Sequence, residues 1–544
     1  MIKLFCRGLS YTLLATSLLT STTYTQAANV PEGTILAQKQ VLNIELGDNP
    51  GTLDPNKITE IIGFQIATNL FDPLTTYDEN GKIVAGAAQS WSHSEDFKTW
   101  TFKLRPDAKW SDGTPVTAQD FVTSWQRLVD PETASQYSFY LGNLGVLNAK
   151  DISEGKLDKN LLGVRAVDDL TFEVTLSTPT PWFLEATALV IVSPVPTHLV
   201  QAGKWPDFSN YVVNGPFTLA QAVPNEKYTL RKNEQYWDAK NTVLTEANFV
   251  IIRNANDAYK RLQAGDLDAF RLSTPSLRQA LLKNDNFKVH EAPGSYTTWF
   301  AFRNNQAPFD NRDARRAILL AINTQDLQTK VFRDSVQATS IFASPPLPGV
   351  TEYLKEAPYF NQPYSQRVEE AKQLLAQAGY SSSNPLKFEI AYNTNENHKL
   401  AAIAIQAQLK QVFGNTIQTT LTNAEWATFL ANRRSGEYAF YRSGWSPAYY
   451  EPSTFYANWT SYNPLNDSKF NSPEYDQLWQ DLYASQNLEQ RFALYQRLND
   501  LLIDQAAAVP LYVSLDSWAT VKNLQGLVLD NITRRLVHVY YTAE

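Results

Sequence analysis

A single cysteine, Cys6, serves a chain of 544 residues, and it stands ahead of an apolar run near the N-terminus. No disulfide can close within such a chain and no Cys-based metal centre can form, so a stable fold has to come from burial of ordinary cores. The surrounding residues explain the position of the cysteine. Lys3 and Arg7 give a short basic start, the run Leu9–Leu19 is apolar, and Thr25-Gln26-Ala27 puts small residues three and one before a cut. That layout predicts a secretory signal peptide over 1–27. The run is too short and too polar to span a bilayer, and Cys6 lacks the Leu-x-x-Cys setting of a lipoprotein cut. The expected product carries no membrane anchor and lies in the periplasm.

Hydrophobic content of 43% and charged content of 19% fit globular domains, roughly three at ~100–200 residues each. A net charge of −8 argues against a nucleic-acid-binding surface. Alternation in Trp100-Thr-Phe102-Lys-Leu104 and Phe172-Glu-Val174-Thr-Leu176 predicts half-buried strands. Between them Asp112-Gly113 signals a turn, and Thr117-Ala-Gln-Asp120 resembles a capping box. Phe121, Trp125 and Leu128 then share one helical face, and Pro131 stops the helix. A second helix is expected from Ser365 to Ala378 with Gly379 at its C′ position, and a third over Asn256–Ala264 with Gly265 after it. The fold class is α/β or α+β.

Catalytic signatures are missing. His93, His198, His290, His398 and His538 lie far apart, without metal-ligand spacing, and there is no Gly-x-Ser-x-Gly elbow, P-loop or Gly-x-Gly-x-x-Gly. No enzyme activity, cofactor or metal is therefore expected. One stretch, Tyr438–Pro452, concentrates Tyr, Trp, Gly and Arg. It reads either as a core strand with a surface turn or as a cleft wall, where rigid aromatics supply contact area, Gly444 admits close backbone approach and Arg442 supplies charge.

The block Trp100–Lys109 followed by Trp110-Ser-Asp-Gly-Thr-Pro-Val-Thr-Ala-Gln-Asp-Phe-Val122 resembles the signature of the family 5 extracellular solute-binding proteins. Val129–Ser135, Val213–Phe217, Ala264–Asp268, Ala376–Tyr380, Tyr392–Asn395 and Ala424–Trp426 continue the resemblance along nearly the whole chain. It implies a type II periplasmic-binding-protein fold, with two lobes, an extra third domain, and ligand held in the cleft between lobes that close by a hinge. Carried over, domain I comprises 28–71, 197–298 and 515–544, domain II 72–196, and domain III 299–514. The implied function is capture of short peptides for an inner-membrane ABC permease, by a monomer. Haem, an N-blocked or modified peptide, or a cell-wall fragment are alternative cargoes; a periplasmic chaperone or enzyme is a reading of another class.

In the peptide-binding members, the resemblance matches Arg433, Arg442 and His398 with cations that meet the peptide carboxylate. Gly444, Trp445 and Ser446 match the strand that pairs with peptide backbone, and Tyr137 and Trp426 match pocket-lining aromatics. One position departs. Where those members carry an Asp that pairs with the peptide ammonium, this chain has Ala448. Glu60 and Glu451 are the carboxylates considered as stand-ins.

Overall fold

The computed structural model describes residues 30–543, apart from 79–80, 273, 448–449, 486 and 529–534. The expected signal peptide and Ala448 lie outside the described residues. In chain order the strands are β1 (Val41–Leu46), β2 (Thr75–Tyr77), β3 (Ile83–Ala85), β4 (Ala88–His93), β5 (Thr99–Leu104), β6 (Val164–Asp168) and β7 (Thr171–Thr175). There follow β8 (Phe217–Val223), β9 (Lys227–Lys232), β10 (Glu246–Ile251), β11 (Ala269–Arg271) and the long β12 (Lys288–Phe302). Next come β13 (Val336–Ala338), β14 (Leu386–Asn393), β15 (Ile417–Ala424), β16 (Phe440–Trp445) and β17 (Ala508–Thr520), and the short β18 (Leu524–Gln525) and β19 (Tyr540–Tyr541) pair with each other near the end.

The sequence block around Trp110 turns out to be a structural clip. Strands β4-β5-β7-β6 make an antiparallel sheet, with Trp100 opposite Val174 and Phe102 opposite Phe172. Helix Ala118–Val129 lays buried Phe121, Trp125 and Leu128 on it. Asp120 closes the capping box by accepting from Thr117 N at 2.9 Å, and it also accepts from the Trp110 indole at 3.1 Å and Thr197 N at 2.9 Å. One buried carboxylate thus fastens a turn, a helix start and the following segment together.

The large sheet runs β15-β14-β16-β12-β17-β11-β1-β10-β9-β8, with β13 also on β17. Its two central strands, β12 and β17, each serve both ends. Lys288–Pro293 pair with Leu515–Thr520, where β11 lies alongside, and Thr297–Ala301 pair with Ala508–Val513, next to β16 and β13. The register breaks between Pro293 and Thr297. Gly294 stands in the break, where an added Cβ would come within 2.9 Å of the Ser514 carbonyl. The parallel strands β10, β1 and β11 lie on one side of this crossing, and β14, β15 and β16 on the other. Helices flank both halves as their patterns predict. Ala255–Ala264 ends at Gly265 and Tyr364–Gln377 at Ala378-Gly379, with both glycines at positive φ, the conformation that favours this residue. The second helix buries Ala371 and Leu375, together with Arg367 beside the Tyr359 and Tyr364 rings.

Away from the crossing strands, the segment that follows the four-stranded sheet also touches the chain ahead of β17. Arg491 pairs with Glu185 at 2.9 Å and approaches Glu451 at 3.4 Å, and Trp182 packs on Tyr483 with ring centres 5.2 Å apart.

Candidate functional site

Strand β16 organises the site. Along Phe440–Trp445 the pleat sends Tyr441, Ser443 and Trp445 to one face and Arg442 and Gly444 to the other. On its β12 side the strand is paired from Phe440 to Trp445, whereas β14 pairs only with Phe440 and Tyr441. The edge from Arg442 onward therefore lacks a neighbouring strand among the described residues.

On one face of this edge lies a buried cation. Arg442 is only 4% exposed and has no carboxylate within ion-pairing distance among the described residues. Its guanidinium donates to the Tyr296 hydroxyl and reaches Asn393 Oδ1 at 3.5 Å, while Nε has no partner. Burial, chiefly, holds its pKa below the ordinary arginine value. His398 stands nearby in the first turn of helix Glu396–Phe413, whose start is capped by Asn395. Burial and then the Arg442 charge push the His398 imidazole down to about 3, and its Nδ1 is unpartnered. A guanidinium without a counter-ion among the described residues, a neutral imidazole and the first turn of a helix lie together here, which is a setting for an anion.

On the other face is a cavity of about 390 Å³. Trp299, Trp426, Trp445 and Trp459 line it with Ser446 and Arg433. Here Arg433 differs from Arg442, because its Nε is already paired with Asp467 Oδ2 at 2.7 Å. The residues expected from the sequence thus divide: Arg442 and His398 share one face, and Arg433, Trp426, Trp445 and Ser446 the other. Gly444 sits between them. A Cβ there would meet the Tyr296 hydroxyl at 2.5 Å and the Thr297 carbonyl at 2.6 Å, so the close approach comes from the chain itself. Tyr137 lies elsewhere, edge-on to Phe64 of helix Ile61–Leu70 with centroids 6.3 Å apart, and burial raises its pKa. That helix start, with Glu60 and Ile62, lines a second cavity of about 620 Å³ on the other half-sheet, beside Arg271 and Trp518.

Of the two stand-in carboxylates, Glu451 is 2% exposed and held by the Tyr495 hydroxyl at 2.6 Å, Ser453 N at 2.6 Å and Arg491. Burial raises its pKa, and it lines neither of these two cavities. Glu60 accepts from Gly51 N at 2.8 Å and lines the second cavity. Close to Arg442 stand Tyr296 of β12, Tyr512 of β17 and Asn393 of β14; sequence pattern singles out neither tyrosine, and Asn393 falls within the Tyr392–Asn395 block without a role of its own.

Residues 82–467 match the middle region of the bacterial extracellular solute-binding proteins, family 5. The chain belongs to this family. As a family 5 solute-binding protein it is 39% identical over 492 residues to the periplasmic oligopeptide-binding protein of Haemophilus influenzae, covering 90% of each chain. Its structure matches the unliganded open form of a periplasmic murein tripeptide binding protein with a TM-score of 0.87 at 35% identity, over 94% of this chain and 99% of that one. Against the Haemophilus influenzae protein in complex with the peptide RPPGFSPFR the TM-score is 0.71 at 36% identity, over 93% and 100% of the chains. The fold is the type II periplasmic-binding-protein fold.

Proposed function

We propose that the protein is the periplasmic binding subunit of an ABC importer, which captures short peptides by lobe closure and hands them to an inner-membrane permease. The observation that carries this reading is the buried Arg442, without a counter-ion among the described residues, beside a strand edge that has no neighbouring strand among them. An extended peptide can add to that edge by main-chain hydrogen bonds while its carboxylate supplies the missing counter-charge. The named activities of the relatives, oligopeptide and murein peptide binding, support the same cargo.

The break in β12 and its partner stretch near Ser514 support a division into domain I (28–71, 197–298, 515–544), domain II (72–196) and domain III (299–514), with closure bending the two crossing strands. In this reading the chain is made with a signal peptide over 1–27, works as a monomer without an anchor, and performs no catalysis. Arg442 and His398 take the carboxylate, Gly444 to Ser446 the backbone, and Trp426, Trp445, Arg433 and Tyr137 the side-chain surroundings.

A second reading concerns the amino end. With Ala448 in place of an Asp and Glu451 committed to Arg491, Glu60 is the remaining carboxylate of the two considered. The cleft then tolerates an N-blocked peptide or cell-wall fragment. Native mass spectrometry of the purified protein, followed by calorimetry with the free, acetylated and amidated forms of a bound peptide, tests both. Acetylation should weaken binding by less than about 1 kcal/mol and amidation by more. Small-angle scattering should show a smaller radius of gyration with ligand; tight binding without compaction would sink the closure model.

A further inference from the structure

The two faces of β16 differ in charge balance, and this bears on which ligand side chains the cleft accepts. On the Trp face Arg433 is neutralised by Asp467, which is itself largely buried, and its Nη1 contacts Ser443 Oγ at 3.4 Å. Arg434 lines the same cavity from an exposed position on helix Trp426–Ser435. The walls present rings. Trp445 has its indole N–H donated to Thr454 Oγ1 at 3.1 Å, and Trp459 is packed between Trp299 and Phe342 at centroid distances of 5.9 and 5.1 Å. Trp426 stacks on Phe429 at 6.3 Å, yet stays 50% exposed beside the cavity. A large ring left half in water next to a rigid aromatic cavity gains most from an apolar ring laid against it. A charged side chain entering the same space would lose hydration and find Arg433 and Asp467 already bonded to each other, while Arg434, exposed to water, returns little to an acidic group.

We infer that the cleft selects ligands that combine a carboxylate, taken at Arg442, with a bulky uncharged ring-bearing side chain, taken in the cavity of Trp299, Trp426, Trp445 and Trp459. Acidic and basic side chains are disfavoured there. The inference rests on the peptide-binding reading and narrows it, since an extended ligand on the β16 edge presents alternate side chains to opposite faces.

The test uses the full mature chain and alanine tri- and tetrapeptides carrying Phe, Trp, Lys or Glu at each position in turn, measured by titration calorimetry. At one position Phe and Trp should bind at least tenfold more tightly than Ala, Lys or Glu. Trp426→Ala should collapse the Phe-to-Ala ratio at that position to under threefold. Asp467→Asn, which frees Arg433, should improve the Glu peptide at least fivefold. Peptides that bind without side-chain preference, or with Lys or Glu as favoured as Phe everywhere, would overturn the inference while leaving the peptide reading standing. Failure of every peptide to bind would overturn both. Should Asp467→Asn fold poorly, the Trp426→Ala ratio decides alone, because that side chain is half in solvent.

Discussion

Replacing Arg442 by Met should make the ligand-free protein more stable and its binding far weaker. The guanidinium is 4% exposed, has no counter-ion among the described residues, and leaves Nε unpartnered. Exchanging buried ionic groups for apolar side chains of similar volume is neutral or stabilising by ~1–4 kcal/mol. Taking about 2 kcal/mol, and roughly 2–4 °C per kcal/mol for a cooperative unit of ~200 residues, the melting temperature should rise by about 4–8 °C. Binding moves the other way. A ligand carboxylate left without its buried partner loses about 2–5 kcal/mol, or roughly 30- to 4,000-fold in affinity. Differential scanning calorimetry on ligand-stripped protein gives the first quantity, and titration with a peptide and its C-terminal amide gives the second. The amide should discriminate poorly between wild type and the Arg442→Met variant. A variant that melts lower than wild type yet keeps the full preference for carboxylate over amide would refute the assignment of Arg442 as the uncompensated anchor.

His398 gives a pH signature. Its imidazole is held down to about 3 in the ligand-free fold, against ~6.5 when unfolded, so the stability of ligand-free protein should fall as pH drops from about 6.5 towards 3. A bound carboxylate raises that pKa, so affinity should increase on acidification from about pH 7.5 to 5.5, and His398→Gln should flatten the profile in calorimetry. Asp120→Ala removes the acceptor of Thr117 N, Trp110 Nε1 and Thr197 N, and urea unfolding should report a loss of about 3–5 kcal/mol with no change in ligand preference. Gly444→Ala places a methyl group against Tyr296 and the Thr297 carbonyl, and should lower stability by about 1–3 kcal/mol and weaken binding by displacing the Tyr296 contact with Arg442. A Gly444→Ala protein with wild-type melting and affinity would show that β16 can yield there.

Local chemistry is legible in the sequence of this chain. The Thr117–Asp120 box, the stops at Gly265 and Gly379, and the pairing-ready alternation of Trp100–Leu104 and Phe172–Leu176 are decided by neighbours a few residues away. Arg433 and Arg442 looked equivalent because the difference between them is set by Asp467, which lies 34 residues beyond Arg433 and is brought back by the loop before helix Pro473–Leu482. Arg367 on the inner face of its helix was missed for a related reason: no rule of period distinguishes a buried guanidinium on tyrosine rings from an exposed one. The double duty of β12 and β17 was likewise invisible, since strands paired at separations above two hundred residues leave no mark in either segment alone.

That double duty has a consequence for how the molecule is made. Because β17 lies between β12 and β11 and also carries β13, the middle of the large sheet is supplied by residues 508–520, close to the end of the chain. Neither half-sheet can close around its central strand while the chain is still emerging, so folding cannot proceed lobe by lobe from the N-terminus. Pairings such as Lys288 with Thr520 require the closure of very long loops, which makes folding slow. A slow, late-completed sheet keeps the chain threadable until its last strand arrives. A chain cut short before residue 508 should remain open to proteolysis throughout, and not only at its end.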